Sequence, residues 1–303
     1  MSEPIAYLSG SYVPESAMQL SVVDAGFVLG ATVTEQLRTF KGRVFCLEQH
    51  FERLENSLRI VFGELPIDLG ELAAVAERVV GENHRLGDPE DDLGVSIFVT
   101  PGLYPAYAGG ASGGPTVGVH TYRLPFRLWA EKYETGQHLR TVSVRQVPAD
   151  CWPPSLKCRS RMHYYLADRE AAQREPGARA LLLDHDDRVT ETSTANIVAC
   201  FGNELRFVSR KRTLLGISEA YLESLAHGLG MTTCEFDPQV DALLQADELF
   251  LTSTPFCLLP VTAIDGTPIG DGRPGPIFAR LTTAWSERVG VDIVAQARRF
   301  AER

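Results

Sequence analysis

The 303-residue sequence lacks any apolar run approaching the roughly 20 residues that a membrane-spanning helix needs. Its first residues lack the basic and apolar regions of a signal peptide. The formal charge is -10, and no basic stripe of the kind that binds nucleic acid is present. The six cysteines form no Cys-x-x-Cys pair, which argues against a zinc site and favours reduced thiols. We therefore expect a cytoplasmic protein that binds no membrane, nucleic acid or metal.

The composition is that of a globular protein, because 44% of the residues are hydrophobic and 22% are charged. The length allows two cores of roughly 150 residues each. We predict an N-terminal α+β domain over residues 1–122, a linker over 123–136 and a C-terminal domain over 137–303. The glycine-rich stretch 105–115 lacks the Gly-Lys-Ser/Thr ending of a nucleotide-binding loop, so that function is excluded.

Hydrophobic spacing predicts several elements within these domains. A helix with one apolar face is predicted by Leu47, Phe51, Leu54, Leu58 and Val61, which recur at steps of three and four. Arg53 lies off that face and, taken alone, would be a helix-surface charge. A second helix is predicted over about Leu69 to Val80, and a hairpin around Gly202-Asn203. The last clear helix is predicted within 274–289.

Four separated segments carry residues with chemical potential. They are Ser155-Leu156-Lys157-Cys158-Arg159-Ser160-Arg161, Val189-Thr190-Glu191-Thr192-Ser193-Thr194-Ala195-Asn196, Leu214-Leu215-Gly216-Ile217-Ser218 and Glu248-Leu249-Phe250-Leu251-Thr252-Ser253-Thr254. An amine, a carboxylate and two hydroxyl-bearing turns, in this order, suit pyridoxal phosphate. The amine can form a Schiff base with the aldehyde, the carboxylate can keep the pyridine nitrogen protonated, and the turns can hold the phosphate.

These segments resemble those of the fold-type IV pyridoxal-phosphate enzymes, the class IV aminotransferases. That family includes branched-chain aminotransferases, D-amino-acid aminotransferases and aminodeoxychorismate lyases. The resemblance extends from about Tyr7 to Asp265. It implies an α/β fold of two domains, a smaller α+β N-terminal domain and a larger C-terminal domain with a mixed or barrel-like sheet. It also implies a homodimer.

The resemblance assigns roles to individual residues. Lys157 would form the Schiff base and move the proton, and Glu191 would bind the pyridine nitrogen. Taken alone, Lys157 would be a solvated lysine and Glu191 an exposed carboxylate. Gly216 alone would be a helix N-cap without a ligand. The remaining residues that the resemblance places around the cofactor are Thr194, Ala195, Asn196 and Leu214 near the ring, and Arg53, Gly216, Ile217, Ser218, Ser253 and Thr254 around the phosphate.

The substrate pocket departs from the family pattern. Relatives carry a large aromatic where Thr34 stands, which predicts a wider or differently shaped pocket. Glu35 and Arg38 resemble the Glu-x-x-Arg pattern of branched-chain aminotransferases, whereas Lys157-x-x-x-Arg161 resembles the lyases. Arg159 and Arg161 are candidates for binding an acid group of the substrate, and equally for helix-surface charges.

We therefore predict an aminotransferase that moves an amino group from an amino acid, of the branched-chain type or the D type, to a 2-keto acid. Two alternatives stay open at this point. One is a lyase that makes 4-aminobenzoate and pyruvate from aminodeoxychorismate. The other is a binding protein that kept the fold and lost turnover.

Overall fold

The computed structural model describes residues 3–111 and 113–303, which divide into two compact units. The first unit comprises the described residues up to Leu124 together with Ser155–Ser160. The second comprises Pro125–Pro154 and Arg161–Arg303. The contacts of the Lys157 motif thus group it with the first unit. The boundaries predicted above (1–122, 123–136 and 137–303) stay a prediction.

An antiparallel sheet organises the first unit. Its strands are β1 Ile5–Leu8, β2 Ser11–Pro14, β3 Val33–Phe40, β4 Arg43–Val44, β5 Leu93–Thr100 and β6 Thr116–Arg123, and its helices are α1 Ala25–Val28, α2 Leu47–Phe62 and α3 Leu69–His84. Within the described residues the strand order is β2-β1-β6-β5-β3-β4. Lys41 and Gly42 join β3 to β4 with φ of 51° and 71°. Glycine adopts this left-handed conformation without steric cost.

Helix α2 packs against β3 through Phe51, Leu54 and Leu58 of the predicted apolar face, whereas the prediction is wrong for Val61, which is 38% exposed at the end of the helix. Helix α3 packs against β1, β5 and β6. Leu54 and Leu58 are fully buried beside Leu37 of β3. Taken alone, Arg53 would be a helix-surface charge, and that interpretation is wrong, because the residue is only 9% exposed. Sequence spacing missed this burial because a buried carboxylate on β3 compensates the charge.

A larger mixed sheet organises the second unit. Its strands are β7 Gln137–Arg145, β8 Arg179–Leu183, β9 Asn196–Phe201, β10 Glu204–Val208, β11 Thr232–Phe236, β12 Glu248–Ser253, β13 Cys257–Ile264 and β14 Thr267–Pro268. Its helices are α4 Lys132–Thr135, α5 Met162–Arg174, α6 Ile217–Gly228, α7 Val240–Leu243, α8 Pro276–Val289 and α9 Ile293–Arg299.

The strands of this sheet follow the order β11-β10-β9-β12-β13-β7-β8, with β14 beside β13. The β10–β11, β13–β7 and β7–β8 pairs are parallel, and the other pairs are antiparallel. The predicted hairpin around Gly202 is confirmed as β9 and β10. Helix α9 escaped prediction because two turns of helix give too few residues to show a period. No helix of residues 3–111 or 113–303 is long and apolar enough to cross a membrane.

Candidate active site

The backbone around Lys157 is held against β3 and α2 of the first unit. The Thr34 amide donates to the Lys157 carbonyl at 3.1 Å, and the Arg159 amide donates to the Thr32 carbonyl at 2.9 Å. The Lys157 amide donates to Ser57 Oγ at 3.1 Å. These three bonds pin an extended segment whose central residue, Cys158, pairs with Val33. The half-buried Lys157 side chain is therefore attached to a backbone that hydrogen bonds hold in place.

Behind β3, the first unit buries a charged cluster of Glu35, His50 and Arg53. Arg53 donates from Nε and Nη2 to the two carboxylate oxygens of Glu35, each at 2.8 Å. Burial opposes ionisation of Glu35, but the Arg53 charge and the hydrogen bonds from Arg53 and His50 outweigh it and lower the pKa. This bidentate pair fixes the plane of the Arg53 guanidinium. Glu35, predicted to contact substrate, thus binds Arg53.

His50 completes this cluster as a neutral imidazole. Burial lowers its pKa, Glu35 partly offsets the shift, and the charges of Arg53 and Lys157 add to the lowering. Its Nδ1 lies 2.8 Å from a Glu35 oxygen. Because that oxygen is an acceptor, Nδ1 carries the proton and Nε2 is left as an acceptor. Nε2 is buried without a partner among the described residues.

The opposite face of the same sheet carries polar groups around Thr34 and Arg38. Successive residues of a strand point to opposite faces, so Thr34, Gln36 and Arg38 share the face that Glu35 does not. Gln36 Nε2 donates to Ser96 Oγ at 2.8 Å, and Arg159 Nη2 donates to the same oxygen at 3.0 Å. Arg159 precedes helix α5, so it is not a helix-surface charge.

Two further contacts define this polar face. Tyr122 Oη donates to Gln36 Oε1 at 3.3 Å. Burial raises the pKa of Tyr122, and the charges of Arg159 and Arg38 oppose the shift, so the phenol stays protonated. Thr34 Oγ1 is engaged with the Ile97 carbonyl at 2.9 Å. Arg38 is 1% exposed, donates from Nε to the Thr39 carbonyl and lies 4.0 Å from the centroid of the Phe40 ring. With Arg159 and the phenol it gives this face a set of donors that suits a carboxylate.

In the second unit, Glu191 is held by two donors that the sequence analysis missed. Tyr164 Oη and Gln146 Nε2 each donate to Glu191 Oε1 at 2.8 Å, and Gln146 Nε2 also lies 2.9 Å from Tyr164 Oη. Burial and the adjacent Glu191 raise the pKa of Tyr164 well above its ordinary value, so it remains a donor. The available signal was a tyrosine on the first turn of the helix after the lysine motif.

Arg161 and His163 line the same tyrosine. The Arg161 guanidinium lies 4.5 Å from the centroid of the Tyr164 ring and donates to the Ser193 carbonyl. The His163 ring contacts Tyr164 with centroids 3.9 Å apart. Burial, with the Arg161 charge, lowers the pKa of His163 to about 4, so it is neutral at pH 7. Arg161 occupies the N-cap position of α5 without a side-chain capping bond and brings a positive charge to Tyr164.

Three predicted segments of the second unit converge at Asn196. Asn196 Nδ2 donates to the Leu214 carbonyl at 2.9 Å. A Cβ on Gly216 would lie 2.2 Å from Asn196 Oδ1, so a larger residue there would displace the Asn196 amide. Ser253 Oγ donates to the Thr194 carbonyl at 2.6 Å. Ala195 is buried in the turn before β9, and Thr254 is half-buried.

Helix α6 begins in this cluster, with Gly216 as its N-cap and Ile217 as its first residue. The first amides of a helix lack partners within the helix and attract anions. Ser218 Oγ, on this turn, is buried without a partner among the described residues. The turn has the donors that a phosphate requires, and Glu191 has the acceptor that a protonated pyridine requires. The second unit therefore fits both ends of pyridoxal phosphate.

Known proteins resemble this chain over most of its length. Residues 32–264 match the family model described as amino-transferase class IV. The D-alanine aminotransferase of Bacillus licheniformis is 29% identical over 91% of this chain and 94% of its own length. A putative branched-chain-amino-acid aminotransferase of Methanocaldococcus jannaschii is 30% identical over 93% of this chain and 98% of its own length.

Solved structures of aminotransferases also resemble this chain over most of its length. The T.th. branched-chain amino acid aminotransferase with pyridoxamine 5'-phosphate superposes with a TM-score of 0.84, at 27% identity over 95% of both chains. The Escherichia coli branched-chain enzyme superposes with a TM-score of 0.85 at 21% identity, over 94% of both chains, and supports the fold alone. The fold class expected from the sequence, a two-domain α/β fold of type IV, is confirmed.

Proposed function

The chain belongs to the class IV aminotransferases and is a pyridoxal-phosphate-dependent aminotransferase, and we propose that Lys157 is its catalytic lysine. We further propose a donor amino acid of the branched-chain or D type and a 2-keto acid acceptor, as in the named relatives. Those relatives favour amino transfer over the lyase and the non-catalytic protein. A coupled assay separates the three by ping-pong amino transfer, by pyruvate release without an acceptor, or by neither.

The observation that supports this proposal best is the way in which the Glu191 carboxylate is held. When bound, pyridoxal phosphate supplies an electron sink whose strength depends on a protonated pyridine nitrogen. Tyr164 and Gln146 orient the Glu191 carboxylate by hydrogen bonds of 2.8 Å. An acceptor held in this way favours a proton on the ring nitrogen. Ala195, Asn196 and Leu214 are proposed as contacts of the ring, as is Thr194.

The proposed phosphate contacts come from α6 and β12. The Gly216–Ser218 turn supplies amides and the Ser218 hydroxyl, and Thr254 supplies a hydroxyl after β12. Ser253 stays a predicted contact, although its hydroxyl donates to the Thr194 carbonyl in this structure. Arg53 stays a predicted phosphate ligand, and its pair with Glu35 would hold the guanidinium in one orientation. Arg53→Ala should weaken cofactor affinity, because a charge-assisted bond contributes about 1.5–3 kcal/mol.

Covalent trapping tests the assignment of Lys157. Borohydride treatment of the holoenzyme, followed by peptide mapping, should place the pyridoxyl adduct on Lys157. Lys157→Ala should abolish both the adduct and turnover, whereas Lys41→Ala, in the exposed β3–β4 turn, should change neither. An adduct on another lysine in the parent enzyme would remove Lys157 from the site.

Arg159 and Arg38 are proposed to bind the substrate carboxylate. Arg159 lies two residues from Lys157 on an extended segment, which is a distance of about 7 Å. Arg159→Gln should raise the KM for the amino acid about tenfold or more with a smaller change in kcat, because it removes a charge-assisted bond. Arg43→Gln, at an exposed position of β4 in the same unit, is the matched control. Equal KM values in Arg159→Gln and the parent would remove Arg159 from the pocket.

Thr34 is proposed to set the choice of donor. Its side chain stands where relatives carry a large aromatic, so Thr34→Tyr should narrow the pocket and change the preference among amino donors. The preference is measured with a panel of L- and D-amino acids, by recording the change in cofactor absorbance during each half-reaction. A donor profile identical to that of the parent would place Thr34 outside the pocket.

A homodimer in the cytoplasm is the assembly that we propose. The N-terminal segment before β3 exposes large apolar side chains, with Val22 at 74% and Phe27 at 73% exposure. Exposed apolar side chains of this size, close together in sequence, support a protein–protein interface. The six free thiols are consistent with a reducing compartment. Light scattering should give a molar mass twice that of the 33.3 kDa chain. Phe27→Asp should lower the measured mass towards that of the monomer.

A further inference from the structure

The start of helix α6 collects buried oxygens that have no hydrogen-bond partner. Among the described residues, Thr213 Oγ1, Ser218 Oγ and Glu219 Oε1 are all in this state within seven consecutive positions. Their side chains are 0%, 2% and 1% exposed. Buried polar groups in folded proteins are nearly always hydrogen-bonded. Three buried oxygens without a partner in the described part of the chain, within so short a stretch, therefore indicate a ligand that would supply the missing hydrogen bonds.

Glu219 lies at the helix terminus itself. Glu219 is the third residue of α6, so its carboxyl group belongs to the first turn of the helix, where the Gly216 amide opposes the rise of its pKa. A Cβ on Gly216 would lie 3.0 Å from Glu219 Cβ, which shows how closely the two residues pack. The proposed phosphate turn thus contains a carboxyl group beside the Ser218 hydroxyl. An ionised Glu219 carboxylate and a bound phosphate, both negative, would repel each other there.

The charges around Glu219 decide its protonation. Burial raises its pKa to about 8, Arg210 opposes the shift, and Glu191 and Glu223 add to it. Arg210 does not offset burial in full, and its guanidinium pairs with Glu223 at 2.6 Å and lies 3.8 Å from Glu235. At pH 7 the carboxyl group is mostly neutral and carries a proton that it can donate.

We propose that Glu219 is part of the phosphate-binding site, where its neutral carboxyl group donates its O–H to a phosphate oxygen. The inference rests on the proposed function, which places the cofactor phosphate at the Gly216–Ser218 turn. The proton comes from solvent whenever the carboxyl group is ionised before binding, so binding above neutral pH takes up a proton. Ionised Glu219 would instead present a negative charge to the phosphate.

Calorimetric titration of the apoenzyme tests this coupling. The probes are inorganic phosphate and pyridoxal phosphate, each titrated at pH 7, 8 and 9 in two buffers of different ionisation enthalpy. At pH 8, binding to the parent should take up about half a proton more than binding to Glu219→Gln, because the group is then half ionised. From pH 7 to pH 9 the parental affinity should fall about tenfold relative to that variant.

The controls separate this inference from the proposed function. Glu287→Gln, on an exposed position of α8, also removes one negative charge and should retain the parental proton uptake. Equal proton uptake in the parent and Glu219→Gln, or none in the parent, would overturn the role of Glu219. Unchanged phosphate affinity in Ser218→Ala would instead show that this turn is not the phosphate site. Inorganic phosphate cannot react with Lys157, so its titration reports the turn without the covalent step.

Discussion

Glu35 in the first unit and Glu219 in the second are both buried carboxyl groups, at 0% and 1% exposure, with opposite charge states at neutral pH. Glu35 has its pKa lowered, whereas Glu219 has its pKa raised to about 8. Burial alone would raise both values. The difference therefore comes from the partners that each region supplies.

The partners differ in charge and in geometry. Glu35 receives two hydrogen bonds from the Arg53 guanidinium and one contact from His50, all at 2.8 Å. Among the described residues, Glu219 has no salt bridge of this kind, since the Arg210 guanidinium, whose charge opposes its pKa shift, pairs with Glu223. A buried carboxylate is stable only where a charge and hydrogen bonds compensate it. The surroundings of Glu35 therefore stabilise a permanently ionised carboxylate, whereas those of Glu219 allow its carboxyl group to bind and release a proton near neutral pH.

The largest effect should follow from removing the charge of Glu35. Glu35→Gln leaves the buried Arg53 guanidinium without its negative partner. The free energy of unfolding should therefore fall by about 3–5 kcal/mol in urea titrations at pH 7. Because the pKa of Glu35 is lowered, its contribution is present above the ordinary range of glutamate and is lost as the pH falls below it. Glu55→Gln, which removes an exposed pair with Arg59, should cost about 0.5 kcal/mol or less.

A paired variant sharpens this result. Replacing Glu35 and Arg53 together with methionine removes both charges and should recover most of the stability that Glu35→Gln loses. Cofactor affinity should stay low, because Arg53 is the predicted phosphate ligand. A Glu35→Gln protein as stable as the parent would mean that the Arg53 charge is compensated without Glu35, and the comparison with Glu219 would fail.

Glu191 allows a second test, since its proposed role requires a permanent negative charge as at Glu35. Glu191→Gln keeps the size and removes the charge, so the proton-transfer step of the half-reaction should slow by about two to three orders of magnitude. The variant should still bind cofactor and remain yellow. Single-turnover absorbance measures the step apart from donor binding. A parental rate in Glu191→Gln would show that Glu191 is not the partner of the ring.

Tyr164 should have a smaller effect, because it acts through Glu191. Tyr164→Phe removes one of the two hydrogen bonds to Glu191 Oε1, which contributes about 1–1.5 kcal/mol, or roughly tenfold in the half-reaction rate. The pH profile of the half-reaction should also shift, which a merely structural loss would not produce. Tyr165→Phe, whose side chain is 65% exposed, is the control and should match the parent.

The smallest effect concerns stability at alkaline pH. Because the pKa of Glu219 is raised to about 8, its contribution to folding is complete below the ordinary glutamate pKa and is lost as the pH rises through 8. Between pH 7 and pH 9 the parent should lose about 1 kcal/mol more stability than Glu219→Gln. Urea titrations of the apoenzyme at both pH values measure this difference. Parallel pH profiles would mean that Glu219 does not change its protonation over this range.

Residues in continuous segments were the ones that sequence reasoning could find. The motif around Lys157 and the glycine turn at 216–218 each place their chemistry within a few positions, so spacing and residue type suffice to identify them. Tyr164 and Gln146 were missed because they lie 27 and 45 residues from the Glu191 they bind. The same limit applies to Ser96 and Tyr122, which meet Gln36 only through strand register.

By itself, the sequence determined the cofactor, the family and the order of the motif segments, because these depend on residue types at short spacing. It also determined helix α2 and the β9–β10 hairpin, since local periodicity and turn residues act within a few positions. Only the tertiary structure decided the charge states of Glu35 and Glu219. A pKa depends on burial and on partners distant in the chain, and Arg53 reaches Glu35 across 18 positions whereas Arg210 pairs with Glu223 instead.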